Sequence, residues 1–181
     1  PVPELTAVKT VPGKANNAEI RRDTKDRIYK RYIDIEENEN GTPLSIKFKN
    51  TEHFNFAFDL VDELAKREPD KLAMLHISKD KTERRLSFND MKRASNQCAN
   101  YFKSLGIKKG DRVMLVLKRH YQFWFAVLGL NKLGAIAIPA TSQLQAHDFK
   151  YRFDSAGVSA IICTADHGTA EQVDIAAAEC P

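Results

Sequence analysis

GDRVMLVLKRHYQFWFAVLGLNKLGAIAIPA, residues 110–140, decides the fold. Gly110 and Asp111 form a turn pair, and Arg112–Leu117 is then almost continuously apolar. A strand that alternates apolar and polar residues has one wet face, whereas an unbroken apolar run belongs to a strand covered on both faces in a parallel sheet. Tyr121–Leu133 reads as a helix carrying Phe123, Trp124, Phe125, Val127, Leu128 and Leu130, and core packing accounts for its aromatic residues. Gly134 closes it, because a helix commonly ends on a left-handed residue that glycine adopts without strain. Ala135–Ile138 is the next strand.

Working outward, the same pattern recurs on the carboxyl side. A helix is expected near His147–Ala156 with Gly157 as its cap, then a strand at Ser159–Cys163 and a helix from about Thr169 to Glu179. On the amino side, Ser87 caps a helix supported by Asp90 three residues later, with Met91, Ala94, Cys98, Phe102 and Leu105 as its stripe and Gly106 as its stop. Before it, Lys71–Ser78, a turn at Lys79–Lys81 and Glu83–Phe88 predict a hairpin at one sheet edge. Asn55–Arg67 is a further helix, with Phe58, Val61, Leu64 and Ala65 on one side and Pro69 just beyond its end. Alternation of this kind gives an α/β fold: a partial open parallel sheet with helices on both faces plus an edge hairpin. No strand follows the last helix, so the sheet reads as incomplete.

The first stretch is different. Residues 1–16 hold Pro1, Pro3, Pro12 and Gly13 among small and polar residues and read as a loose leader. Glu19–Glu37 predicts an amphipathic basic helix, with Ile20, Ile28, Tyr32 and Ile35 between charges, which Asn38–Pro43 with Gly41 then breaks. The expected organisation is an arm over residues 1–50 and a first, incomplete α/β subdomain over residues 51–181.

Composition excludes several classes of function. The 181 residues are 43% hydrophobic and 29% charged, and the 28 basic residues exceed the 24 acidic ones by only four, without a dense basic stripe; nucleic acid is therefore not an expected partner. The basic stretch Arg21, Arg22, Lys25, Arg27, Lys30, Arg31 is interrupted by Asp23 and Asp26, the pattern of a solvated helix face. Cys98, Cys163 and Cys180 are too far apart for a short-spaced metal site and too few for a disulfide scaffold, which predicts free thiols in a reducing cytoplasm. No apolar run is long enough to span a bilayer, and Pro1–Lys14 lacks the build of a signal peptide.

No catalytic constellation stands out. Neither a P-loop nor a dinucleotide fingerprint occurs, Gly106 and Gly110 flank a Lys-Lys turn without the phosphate-cradle pattern, and no nucleophile elbow or zincin motif is present. The chain offers no catalytic residue and no metal ligand; His76, alone among aliphatic residues, reads as a core or edge side chain. Ligands on open α/β sheets collect at the carboxyl ends of strands, which here means Lys118-Arg119-His120 and Pro139–Gln143. Arg119 could meet a phosphate or carboxylate there, or serve as an ion-pair partner. Gln143 offers an amide donor and acceptor suited to an amide-bearing ligand, or is a plain loop residue.

Taken together, LVDELAKREPDKLAML, LSFNDMKRASNQCANYFKSLGIKKGDRVMLVL, FWFAVLGLNKLGAIAIPATSQLQAHDFKYRFDSAG and EQVDIAAAECP resemble the amino-terminal subdomain of the acyl-adenylate-forming enzymes, from about Phe54 to Pro181. The PATSQL loop, followed by Asp148 and Tyr151-Arg152, looks most like the medium-chain acyl-CoA synthetase branch. That resemblance implies an AMP-forming acid-thiol ligase using ATP, Mg2+ and coenzyme A on a short- or medium-chain carboxylic acid, with Gln143 as a coenzyme A contact. An adenylate is already an activated acyl donor, so thiol attack needs positioned reactants and no protein nucleophile. By the same resemblance, the phosphate loop, the adenine and ribose motifs, the magnesium-binding acid and the carboxyl-terminal domain with its lysine fall beyond Pro181. This piece alone is then expected to be inert, to bind no cofactor tightly, and to self-associate through its incomplete sheet. Two other readings are open: a relative that passes its acyl group to a carrier protein, against which PATSQL argues, and a free-standing α/β binding or scaffold module that docks a partner.

Overall fold

In the computed structural model, which describes residues 27–165 and 168–180, the chain divides between Thr51 and Glu52 into two units. The first unit holds a 3₁₀ turn at Ile28–Arg31 and two antiparallel strands, β1 (Ile33–Glu37) and β2 (Pro43–Phe48). The expected helix over Glu19–Glu37 is therefore corrected over its second half; residues 19–26 lie outside the described residues. Ile33 and Ile35 alternate with Asp34 and Glu36, a period of two that only a strand places on one face. The turn that follows suits a hairpin: the Asn38 side-chain oxygen accepts from the backbone N–H of Asn40 and Thr42, and Gly41 takes φ +76.

The second unit begins where Asn55 caps a π-helical segment, Phe56–Asp62, accepting from the N–H of Ala57 and Phe58, and runs into α1 (Glu63–Arg67). Strands β3 (Leu72–Ile77) and β4 (Glu83–Ser87) form the expected hairpin, but they pair only with each other. The hairpin is a separate two-stranded sheet and not an edge of the parallel one, a difference that hydropathy cannot register because pairing partners are set in three dimensions. Ser87 then starts α2 (Phe88–Ser104) through a full capping box, with its hydroxyl accepting from Asp90 N–H and the Asp90 carboxylate accepting from Ser87 N–H. Of the expected stripe, Ala94 and Cys98 are half-buried, with Cys98 packed against the core between α2 and α3. The buried row is Met91, Ser95, Ala99 and Phe102, whereas Leu105, at the cap, is exposed.

Strand β5 (Arg112–Val116) is the middle of a three-stranded sheet of order β6-β5-β7, completed by α3 (Gln122–Leu133), β6 (Ile136–Pro139), α4 (Ala146–Ala156), β7 (Ala160–Cys163) and α5 (Thr169–Ala178). Both neighbours run parallel to β5, with Met114 opposite Ile138 on one side and Ile161 on the other. Successive β5 side chains serve opposite faces. Val113 and Leu115 pack with Phe102, Ala126 and Leu130 of α2 and α3, while Met114 and Val116 pack with Phe149, Val173 and Ala176 of α4 and α5. All four are at most 1% exposed, and burying each contributes about 1.5–3 kcal/mol. This is why the run reads as unbroken apolar.

Helices α2 and α3 approach closely at Gly129, where an added Cβ would sit 2.8 Å from the Cys98 Cβ and 3.0 Å from the Ala99 nitrogen. A polar clasp holds the π-helical segment to these helices. The Lys132 side chain is 3% exposed, and its ammonium reaches both Asp62 carboxylate oxygens at 2.8 and 3.0 Å and Asn96 Oδ1 at 2.7 Å, while Asn55 Nδ2 donates to the Asn131 carbonyl at 2.7 Å. Charged atoms this deep must be paired, and here each has its partner.

Candidate functional site

A right-handed crossover to the strand on one side of β5, followed by one back across to the other side, must put its helices on opposite faces. The β5–α3 and β6–α4 connections therefore part company, and a crevice opens between the carboxyl ends of β5 and β6. The cleft found there has a volume of about 1090 Å³ and is lined by Lys118–Tyr121 on one side, Ala140–Gln143 on the other, and His76–Lys79 from the β3 hairpin.

Each wall has a local cause. After buried Val116, Lys118 takes φ +49, a left-handed conformation that costs a non-glycine residue energy, and the chain turns out so that Lys118 and Arg119 are exposed. His120 N–H donates to the Leu117 carbonyl at 2.9 Å and starts the turn into α3. Opposite, Ala140 N–H donates to the Leu115 carbonyl at 2.9 Å, which extends the sheet register, and Gln143 N–H donates to the Thr141 hydroxyl at 3.3 Å. Leu144 is buried beneath, so the loop is anchored while Gln143 stays exposed.

Tyr121 ends the Lys118–Tyr121 wall beside the hairpin. The Arg84 guanidinium lies 4.8 Å above its ring, the His76 ring sits 5.2 Å away, and Phe125 meets it edge-on at 5.6 Å. His76 Nδ1 is buried without a hydrogen-bond partner. A smaller cavity of about 330 Å³ adjoins the cleft, shares Lys118–Tyr121 and His76 with it, and adds Met74, Leu75, Phe123 and Trp124. Trp124 is 53% exposed, so core packing does not account for it, contrary to the sequence expectation.

Burial pushes the Cys98 and Cys163 thiols up, away from the thiolate form that a nucleophile needs. Among the described residues, no group of three His, Cys, Asp or Glu side chains could hold a metal ion, and no helix is long and apolar enough to cross a membrane. Asp148 and Arg152 have structural duties: the Asp148 carboxylate accepts from Gln145 N–H at 3.2 Å in the α4 capping box, and Arg152 donates to the Asp148 carbonyl at 2.9 Å.

The structure thus brings Arg119 and Gln143 to the same cleft from two loops that are separate in sequence. It also adds His76 and Lys79, which sequence reading set aside as an edge residue and part of a turn. Their place depends on where the hairpin packs, and no local pattern records that. The one signal that could have pointed to them is that Lys and His recur in two of the three lining segments, His76–Lys79 and Lys118–His120.

Known proteins resemble this chain over the same region. The family model for AMP-binding enzymes matches residues 61–180. The mitochondrial acyl-coenzyme A synthetase ACSM5 of Rattus norvegicus is 36% identical over 136 residues, covering 72% of this chain and 23% of the relative. The mitochondrial acyl-coenzyme A synthetase ACSM1 of Mus musculus is 32% identical over 148 residues, covering 78% and 25%. The chain thus spans about a quarter of the length of these relatives. Among solved structures, the amino-terminal domain of FACL13 from Mycobacterium tuberculosis superposes with a TM-score of 0.61 at 28% identity, over 70% of this chain and 30% of that one. A fatty acyl CoA synthetase from Mycobacterium tuberculosis also superposes at 0.61 and 28%, over 70% and 24%. With two β-α crossovers, an α/β architecture shared with those enzymes and a family match over most of its length, the chain belongs to the AMP-binding enzyme family.

Proposed function

We propose that the protein to which this chain belongs is an acid-thiol ligase that activates a short- or medium-chain carboxylic acid with ATP and Mg2+ to an acyl-adenylate and passes the acyl group to coenzyme A. The family match over residues 61–180 carries this reading, and the acyl-coenzyme A synthetases among the relatives support the coenzyme A acceptor. Residues 51–181 are the first α/β subdomain of the adenylation domain and residues 1–50 an arm preceding it. Gln143 contacts coenzyme A from the β6 loop, and Arg119 faces it across the cleft. The chain's own contribution is a rigid platform: β5 and β6 hold the two loops in register, so that the ligand meets side chains already in place.

The test is to express the longer protein and follow pyrophosphate release with acids from acetate to decanoate, with and without coenzyme A. Acid-dependent release and acyl-coenzyme A formation are expected. Acyl transfer to a carrier protein in place of coenzyme A, or no acid-dependent release at all, would overturn the reading. The 181-residue chain alone should form no adenylate. Its exposed Trp124, Ile136 and Ile175 favour self-association, and sedimentation showing only monomer at high concentration would refute that. The free thiols favour a reducing compartment, which we read as the cytoplasm. The word mitochondrial in the relatives' names gives the competing location, and imaging a tagged longer protein separates the two.

A further inference from the structure

The lining of the cleft is one-sided in charge. Lys79, Lys118 and Arg119 come to it from three-dimensional neighbours on two loops, His76 and His120 stand beside them, and none of its lining residues is acidic. Several cations outside the cleft sit close to carboxylates: Lys132 with Asp62, Arg67 with Glu63, Lys150 with Asp154, Lys71 with Glu68. Acidic residues are nearly as numerous as basic ones in the chain as a whole, so their absence here is local. Like charges gathered in a concave wall repel one another and are held by the fold at a cost, which an anionic ligand relieves.

The backbone adds an independent observation. Lys118 holds φ +49, where glycine would sit without strain. The left-handed turn comes two residues after buried Val116, and Lys118 and Arg119 are exposed in the cleft lining. A residue that destabilises the turn and supplies a cation is accounted for by the cation.

We infer that the cleft grips a phosphoryl group of its ligand, with Lys118 and Arg119 as the cationic pair and Lys79 on the opposing hairpin wall. Resting on the coenzyme A reading of Gln143, this divides the ligand in two. The phosphorylated nucleotide end lies against Lys118 and Arg119, and the amide-bearing arm meets the Gln143 side chain, which both donates and accepts hydrogen bonds. Arginine presents a planar fork matched to phosphate oxygens and lysine a point charge, so the pair combines geometry with attraction.

The experiment is a set of nuclear magnetic resonance titrations on the full 181-residue chain, which read affinities as weak as about 1 mM. The probes are coenzyme A, pantetheine and inorganic pyrophosphate, and the variants are Lys118→Gly with Arg119→Gln, and Gln143→Ala. Coenzyme A is expected to bind at least tenfold more tightly than pantetheine, with a gap that narrows as salt is raised. The Lys118→Gly, Arg119→Gln variant should close that gap while melting no lower than the parent, because glycine suits the left-handed position. A cation needed only for structure would instead lower the melting temperature. Gln143→Ala should weaken coenzyme A and pantetheine alike and leave pyrophosphate unchanged. Equal affinity for coenzyme A and pantetheine, a gap that survives in the double variant, or no binding of any phosphorylated probe overturns the phosphoryl site. If the gap is absent but pantetheine still depends on Gln143, the coenzyme A reading survives that failure. If pyrophosphate depends on Lys118 and Arg119 while Gln143→Ala leaves coenzyme A untouched, the phosphoryl site stands and the coenzyme A reading falls.

Discussion

The hairpin β1–β2 and the sheet β6-β5-β7 are built from similar residues and are held together differently. On one face of the hairpin lie Ile33, Ile35, Ile46 and Phe48, as apolar as anything in β5, yet Phe48 is 71% exposed and Ile46 51%. Its other face carries charges, with Lys49 2.6 Å from Asp34 and Lys47 3.7 Å from Glu36. Exposed pairs of this kind are worth about 0–1 kcal/mol, and a two-stranded ribbon on its own is marginal. In β5, by contrast, Met114 and Val116 are fully buried because α4 and α5 cover one face while α2 and α3 cover the other. Apolar side chains stabilise a strand only when something lies against them, and the covering elements come from far along the chain.

Five substitutions would break or sharpen this contrast. Phe149→Ala empties the middle of the α4–β5 face, where the ring is wholly buried, and should cost about 3–5 kcal/mol in denaturant unfolding. A loss below about 1 kcal/mol would mean that this face is loosely packed. Gly129→Ala places a methyl 2.8 Å from the Cys98 Cβ, against backbone that cannot easily move, so α2 and α3 must separate; a loss of about 1–3 kcal/mol is expected by the same measurement.

Ser87→Ala removes one half of the α2 capping box at a cost of about 1 kcal/mol. The same box makes a pH prediction. The Ser87 backbone N–H, and after it the Ser87 hydroxyl, hold the Asp90 carboxyl below the usual carboxylate range. A depressed carboxyl stabilises the fold fully above the ordinary aspartate value of about 3.9 and loses that contribution as pH falls through its folded value. Unfolding curves of the parent should therefore weaken below about pH 4, and Asp90→Asn should remove that part of the slope. The smallest effect belongs to Phe48→Ser, which is expected to change stability by no more than about 0.5 kcal/mol because the ring touches little. A loss several times larger would show that the β2 face is covered in solution.

Much of the second unit was legible because its signals are local. The capping pair Ser87 and Asp90, the left-handed glycines Gly134 and Gly157, and the apolar run of β5 are each decided within a few residues of chain, so their elements follow from the sequence alone. The first unit was misread where two periods compete: Ile28, Tyr32 and Ile35 suit a helix, and Ile33 and Ile35 suit a strand. The hairpin won because the Asn38–Thr42 turn closes it, with Gly41 in a conformation that fits a turn better than a helix interior. In the candidate cleft, the positions of Arg119 and Gln143 were legible because both follow strands whose carboxyl ends open on it. Those of His76, Lys79 and the exposed Trp124 were not, because each depends on how the β3 hairpin and α3 lie around the cleft.

Sequence by itself thus determined that this chain folds as alternating strands and helices about a doubly covered central strand, since period, caps and turn residues act over a few positions. Tertiary structure alone decided that the β3 hairpin stands apart from the parallel sheet and that Lys79, Lys118, Arg119 and Gln143 share one cleft. The physical reason is that pairing and packing partners are chosen by what must be buried across the whole unit, and no window of neighbouring residues contains that choice.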